Sequence, residues 1–282
     1  MRAALLPDRS VLRLSGADAA HFLNNLVTTE VAKLAAGEAR FAALLTPQGK
    51  ILFDFIVVGC APEEGGGYVL DAPAALAGEL VERLQFYKLR AKIALEPRPE
   101  LAVLAVLDGK PDDDLGLVYV DPRHPGLGTR VILPRAEAEA ALKGFIRVNE
   151  NAWQAERIAL GVPEGGKDFI YGDTFPHEAD MDAIHGVDFD KGCFIGQEVV
   201  SRMQHRGGAR KRVTSVAYDG PAPMPGVEIK IGDKSVGYMG SAANGRGLAM
   251  LRLDRVEEAI KAGGKLEGGG VALKLVEPEP AR

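Results

Sequence analysis

The sequence predicts an α+β protein made of two mixed units followed by a small β-barrel. Three observations predict it. Strand-type alternation and helical spacing take turns up to Arg212, the pattern partly restarts near Leu101, and beyond Arg212 short strand patterns punctuated by glycine follow one another. The expected units are 1–100, 101–212 and 213–282.

The elements follow in order. VLRL reads as a short strand, and SGADAAHFLNNLVT as a helix with Ser15 as N-cap and Phe22, Leu23, Leu26 and Val27 on one face. RFAALL and ILFDFIVV form a hairpin around TPQGK, where Pro47 presets the turn and Gly49 permits a positive φ. GYVLD is a strand, and APAALAGELVERLQF a helix with Leu76, Leu80 and Leu84 at helical spacing. The second unit offers LAVLAVL, GLVYV and TRVIL as strands, PRAEAEAALKG as a short helix, and NENAWQAERIALGV as a longer one stopped by Gly161. An Asp-rich loop covers 163–190. VTSVAYDG, GVEIKIG, KSVGYMGS, GLAMLRL and VALKLVE are the strands of the barrel.

Composition narrows the function. Hydrophobic residues make up 46% and charged residues 26% of the 282, the profile of a protein with a sizeable buried core. No run has the length of a membrane span, and MRAALLPDRSVLRL lacks an unbroken apolar signal core, so a cytoplasmic protein without membrane contact is expected. No G-x-G-x-x-G or Walker pattern cradles a nucleotide phosphate. The two cysteines, Cys60 and Cys193, are too few for a Cys-only metal site within the chain. His21, His124, His177, His185 and His205 show no paired metal spacing.

KGCFIGQEVVSRMQHRGGARKR, residues 191–212, stands out. The chain carries a net charge of −5, yet this stretch gathers Lys191, Arg202, Arg206, Arg210, Lys211 and Arg212 against Glu198 alone. Gly192 lets the backbone turn before Cys193, and a helix begins on GQEVVSRMQ with Glu198 and Arg202 at i,i+4. A thiol near a helix N-terminus and several cations is held partly as thiolate, which favours reactivity or metal binding, and His205 stands ready to tune it. The bland alternative is a small buried hydrophobe, the reading given to Cys60 in its apolar strand. GARKR is too short a patch on an acidic chain to imply direct nucleic-acid binding.

K-G-C-F-I-G-Q-E resembles the signature of the YgfZ family, folate-binding proteins of iron–sulfur cluster assembly or repair related to the glycine cleavage T-protein. The resemblance extends through ADAAHFLNNLVTTEV, LLTPQGKILFDF, WQAERIALGVPEGGKDF and GLAMLRLD. It implies a T-protein-like fold, with the two mixed units around a central opening. It further implies that Cys193 serves chemistry or metal ligation, and that Lys191, Gly192, Gly196, Gln197 and Glu198 belong to the ligand-binding motif. The implied ligands are tetrahydrofolate or a derivative and an iron–sulfur cluster bridged to a partner. The implied partners are A-type scaffold proteins and client iron–sulfur enzymes, with an indirect link to tRNA-modification enzymes.

A folate needs a carboxylate for the pterin edge, an apolar slot for the ring and cations for the glutamyl tail. Glu178 suits the first, Phe22, Phe41 or Trp153 the second, and Arg157, Arg202 or Arg206 the third. Each has a plainer reading: a loop charge for Glu178, core for Trp153, a solvated helix face for Arg157. In the T-protein a paired Asp-Asp follows the first hairpin and one acid serves transfer to tetrahydrofolate; here the place reads Phe53-Asp54. Asp54 is either that acid or a polar residue on the outer face of an alternating strand. Two functions therefore stand: a folate-binding cluster-assembly factor acting through Cys193, and a folate-dependent one-carbon transferase acting through Asp54.

Overall fold

The computed structural model describes residues 1–62, 65–205 and 209–279. β1 (Arg2–Leu5) leads into β2 (Arg9–Ser15) and a short helix, α1 (Ala19–Asn24); β3 (Ala39–Leu45) and β4 (Ile51–Gly59) form the expected hairpin, and β5 (Tyr68–Pro73), α2 (Ala77–Lys88) and β6 (Ala94–Pro97) complete the first unit. The sheet order is β3-β4-β5-β2-β6, all neighbours antiparallel. One face of this sheet packs beneath α1 and α2 through Leu12, Leu14, Phe53, Phe55, Leu80 and Leu84. The other turns Phe41, Ile56 and Val58 toward the centre of the molecule. Ser15 closes β2 rather than capping the helix: α1 starts four residues later, at Ala19, and the Asp18 carboxylate accepts the Lys92 N–H at 2.7 Å.

The second unit contains β7 (Leu101–Val106), β8 (Leu117–Val120), β9 (Thr129–Pro134), α3 (Ala138–Ala141), β10 (Ile146–Arg147) and α4 (Glu150–Ala159). Its sheet runs β10-β1-β7-β9-β8. The first strand of the chain therefore joins the second sheet, pairing antiparallel with β7 and parallel with β10. Asn149 caps α4, its side chain accepting the Ala152 N–H at 3.0 Å, and Trp153 and Ile158 face the core.

Between the sheets lies a buried chain of charges. Asp71 on β5 accepts Arg9 Nε at 2.6 Å and the Tyr119 hydroxyl at 2.8 Å, and is also bonded by Arg130. Asp121 accepts Arg130 Nε at 2.9 Å and Arg123 Nη2 at 2.7 Å. The guanidinium groups of Arg130 and Arg123 lie 5.4 and 5.8 Å from the Trp153 ring centre. Alternating signs compensate the desolvation that any one of these buried groups would suffer alone.

After the acidic loop, α5 (Gln197–His205) precedes β11 (Lys211–Tyr218), β12 (Glu228–Ile231), β13 (Lys234–Ala243), β14 (Arg246–Arg252), α6 (Leu253–Lys261), β15 (Leu266–Gly268) and β16 (Val271–Leu275). The strands close into a six-stranded barrel in the order β11-β14-β13-β12-β15-β16. Five of them match the sequence reading. β15 is too short to show alternation, and α6 lay in an unassigned stretch.

Arg157 fastens the barrel to the second unit. It donates to Asp168 Oδ2 at 2.6 Å, to the Val162 carbonyl at 2.7 Å and to Ser241 Oγ on β13 at 2.9 Å, while Asp168 Oδ1 accepts the Ser241 N–H at 2.7 Å. Arg157 is fully buried. The solvated helix face read from the sequence is thus corrected: its partners lie 11 and 84 residues along the chain. A side chain so committed is also unsuited to a folate tail.

Candidate functional site

The KGC segment is pinned at both ends. At the first, Lys191 turns inward and is nearly buried; its Nζ donates to the carbonyls of Asn24, Val27 and Thr29 at 2.7, 2.7 and 2.9 Å. Burial pulls its pKa down to about 8 against the pull of Glu30 and Asp188. An ammonium has three N–H donors, and here three backbone acceptors meet them. Lys191 is a staple between the segment and the end of α1.

At the second end the chain turns at Gly196, with φ +81°, into α5. A Cβ on Gly196 would stand 2.6 Å from the Thr46 carbonyl oxygen and 2.9 Å from the Gly49 Cα, so the hairpin turn of β3 and β4 presses directly on this point. Phe194 is buried between the two anchors. Gly192 and Cys193 are exposed, and a Cβ on Gly192 would meet nothing within 4 Å. Glycine is required at Gly196, where the helix start was expected, whereas the sharp turn expected at Gly192 does not depend on glycine. What results is a thiol at the surface on a short arch with rigid feet.

The cations expected around the thiol are distributed elsewhere. Lys191 faces carbonyls. Arg212 is paired with Asp180 and, at 2.6 Å, with Asp182; Lys211 Nζ lies 4.0 Å from Glu178. Arg202 and His205 occupy the last turn of α5, and at about 1.5 Å per residue His205 is roughly 12 Å from the start of that helix. Arg206 lies outside the described residues. Lys191, Lys211 and Arg212 are thus engaged with carbonyls and acids, and the thiol's accessibility comes from backbone shape. Gln197 and Glu198 begin α5, half-buried and exposed respectively.

His177, which the sequence showed only to lack metal spacing, has a structural role. It is fully buried, shares a 3.0 Å hydrogen bond with Gln204 Oε1 on α5, and packs 5.7 Å from the Phe189 ring, tying the acidic loop to the helix that follows the cysteine. A lone histidine with no spacing partner gave no signal of this.

Asp54 lies 5% exposed on β4, on the same face as Ile56 and Val58. The outer-face reading is corrected: this face turns toward the molecular centre. The Tyr171 hydroxyl donates to Asp54 Oδ1. Burial raises the carboxyl pKa, opposed by that hydrogen bond and by Arg9 and Arg123. Nearby, Trp153 Nε1 and Arg130 Nη2 are buried donors with no acceptor among the described residues, and Phe41 lies 5.8 Å from the Arg123 guanidinium. Glu178 is partly exposed and accepts the Phe175 N–H at 3.0 Å through Oε2. Phe22 is on the buried face of α1 and belongs to the outer cluster, not to the central one. Cys60 follows β4, half-buried, and Arg13 Nη1 donates to its sulfur at 3.2 Å, so the purely apolar setting expected for it is replaced by contact with a cation.

Comparisons with known proteins follow the architecture. Residues 210–282 match the family described as CAF17, C-terminal beta-barrel domain. The human protein named iron-sulfur cluster assembly factor IBA57, mitochondrial, is 32% identical over 97% of this chain and 83% of its own length. The mouse protein of the same name is 30% identical over 89% and 78%. The glycine cleavage system aminomethyltransferase T of Bartonella henselae superposes with a TM-score of 0.77 over 100% of this chain and 88% of its own, at 18% identity, a likeness of fold. The relatives are named mitochondrial, which overturns the expectation of a cytoplasmic protein. The YgfZ resemblance falls in the same family group. The near full-length match, the T-protein-like scaffold and the terminal barrel agree: the chain belongs to the IBA57 family of iron–sulfur cluster assembly factors.

Proposed function

We propose that the chain assists iron–sulfur cluster assembly by lending Cys193 as one ligand to a cluster whose remaining ligands belong to a partner, an A-type scaffold or a client enzyme. The observation that carries this is the exposed thiol on an arch anchored at Lys191 and Gly196. Among the described residues no group of three or more His, Cys, Asp or Glu side chains is arranged to hold a metal ion. A cluster reached by Cys193 is then completed from outside, and the cluster is cargo.

The test is the visible spectrum of the protein mixed with a cluster-loaded A-type scaffold. The wild type should change the spectrum and form a complex; Cys193→Ser should do neither. Unchanged spectra and cluster delivery with Cys193→Ser would remove the reading.

A reduced folate is the second ligand in this proposal. Two buried donors without acceptors, Trp153 Nε1 and Arg130 Nη2, suit a ligand rich in carbonyl and carboxylate oxygens, and Phe41 and Trp153 offer ring surface. Glu178 would take the pterin edge, with Oε2 already engaged by the Phe175 N–H. Bound folate would supply a one-carbon acceptor. Calorimetry with tetrahydrofolate should show heat that is lost in Trp153→Leu; no heat and no competition at millimolar folate would remove it.

The transferase reading rests on one observation, the burial of Asp54 beside Tyr171. Asp54→Asn separates the two functions: it should leave cluster delivery intact. Loss of a methylene-transfer turnover in that variant, with delivery unaffected by Cys193→Ser, would establish the transferase instead.

A further inference from the structure

The end of α2 carries the most exposed pair of large apolar side chains that are close in sequence. Phe86, in the last turn of α2, is 72% exposed and Leu89, the first residue past the helix, is 90% exposed. Leu89 also has φ +44°, a conformation that a branched residue adopts rarely. The inner face of the same helix buries Leu80 and Leu84, so Phe86 and Leu89 are surplus to the core. Around them stand Arg83, Lys88, Arg90 and Lys92, and residues 83–92 contain no acid in a chain of net charge −5. Among the described residues, none of these four side chains is in an ion pair or a side-chain hydrogen bond. Of the acids of α2, Glu79 stands in its first turn and Glu82 at mid-helix, four residues before Phe86.

This basic knob is connected to the cysteine arch by a single short helix. Asp18, at the head of α1, binds the Lys92 backbone. Asn24, at its tail, accepts from Lys191. Six residues of helix span about 9 Å. An ordinary protein interface of about 800 Å² per partner is roughly 30 Å across, enough to cover both ends.

We propose that the knob of Phe86 and Leu89, with Arg83, Lys88, Arg90 and Lys92 around it, anchors the protein that shares a cluster through Cys193. This rests on the role given to Cys193 above. The partner it fits presents an apolar recess set in an acidic face, since four unpaired cations attract acids and two protruding side chains need a cavity to leave water. Because Asp18 ties the knob and Asn24 ties the cysteine arch to the two ends of one short helix, a protein docked on the knob lies within one interface width of that arch, which favours the protein partner.

The probe is a cluster-loaded A-type scaffold, titrated against the full chain at low and high salt. Leu89→Gly removes the side chain and relieves the positive φ, so it should fold at least as well as the wild type. Its complex with the scaffold should weaken about tenfold, as should that of Phe86→Ser. Arg83→Glu with Arg90→Glu should weaken it further and flatten the dependence on salt. Cys193 should alkylate at the wild-type rate in all of these variants, so docking is read separately from the thiol. Wild-type affinity and salt dependence in the knob variants overturn the inference even if Cys193→Ser still abolishes the spectral change; a silent Cys193→Ser overturns the cluster-ligand reading instead. Co-sedimentation with vesicles of phosphatidylcholine and phosphatidylserine, lost in Leu89→Gly while scaffold binding is kept, reassigns the knob to a lipid surface and overturns the protein partner.

Discussion

Gly49 and Gly196 meet backbone to backbone: a Cβ on Gly49 would stand 3.3 Å from the Gly196 carbonyl oxygen and 2.9 Å from the Val199 Cβ, and a Cβ on Gly196 would stand 2.9 Å from the Gly49 Cα. Both have positive φ, +83° and +81°. The hairpin turn of the first unit and the start of α5 are shaped to each other, and the cysteine arch takes its position from this contact. Gly196→Ala should therefore combine backbone strain with overlap against backbone atoms that have no rotamer to yield, a loss of about 2–4 kcal/mol. Gly192→Ala, in open space, should stay within about 0.5 kcal/mol of the wild type. Urea unfolding of the two variants checks both, and equal losses would remove the distinction drawn between these glycines.

The Lys191 ammonium is the other foot of the arch. Lys191→Met leaves the Asn24, Val27 and Thr29 carbonyls without this donor, at about 1–3 kcal/mol for each buried group left unpaired. Lys191→Arg should not restore it, because a planar guanidinium cannot direct three donors from one point. Hydrogen exchange should quicken at 24–31 and 191–196 together in both variants. Quickening confined to one of the two segments would show that the staple does not join them.

The barrel strands and the hairpin were legible because glycine punctuation and alternation are local signals. Asp54 was misplaced because alternation assumes one wet face, whereas β4 is covered on both, by α1 and α2 on one side and the central cluster on the other. Arg157 and the Arg9–Asp71–Arg130–Asp121–Arg123 chain were illegible for a different reason. Each charge looks solvated beside its sequence neighbours and acquires its partner only when two sheets or the barrel close over it. Cys193 was legible as a motif, but the engagement of its neighbours was not: Arg212 is drawn off by Asp180 and Asp182, and Lys191 by backbone carbonyls.

Asp71 is the joint between the two sheets, accepting from Arg9, Arg130 and Tyr119. Asp71→Ala leaves two arginines in a buried site without their counter-charge, and breaking such a pair costs about 3–5 kcal/mol. The loss should appear in chemical unfolding at neutral pH. A change below about 1 kcal/mol would mean that the arginines find other partners or water.

Acid should unfold the protein through a definite window. Burial by itself would raise the Glu164 carboxyl, but Arg157 and Lys167 outweigh it and hold the pKa at about 2, below the ordinary 4.5. Asp71 and Asp121 are likewise held below the ordinary 3.8, burial opposing and the paired arginines prevailing. Folded pKa values depressed in this way make the unfolded chain take up protons first as pH falls. The stability these groups contribute is complete above about pH 4.5 and declines toward pH 2. In Arg157→Met the slope in that window should be shallower, because Glu164 loses the cation that holds its pKa down. An unchanged slope in the variant would show that Glu164 is not held down by Arg157.

The two thiols should separate by access. Cys193 is exposed beside Gly192, at which even a Cβ would have nothing within 4 Å, so a reagent approaches it without displacing protein. Cys60 is half-buried with its sulfur against Arg13. That sulfur is reached by the reagent only when the covering groups move. Iodoacetamide labelling of the native protein followed by mass spectrometry should therefore modify Cys193 first, by about tenfold or more, with Cys60 catching up in denaturant. Lys191→Met, which frees one foot of the arch, should leave Cys193 reactive while loosening its position, so labelling persists even where cluster sharing with the scaffold is lost. Modification of Cys193 no faster than Cys60 in the native protein, or only after denaturant, would make it a packing residue and remove the ligand role proposed for it.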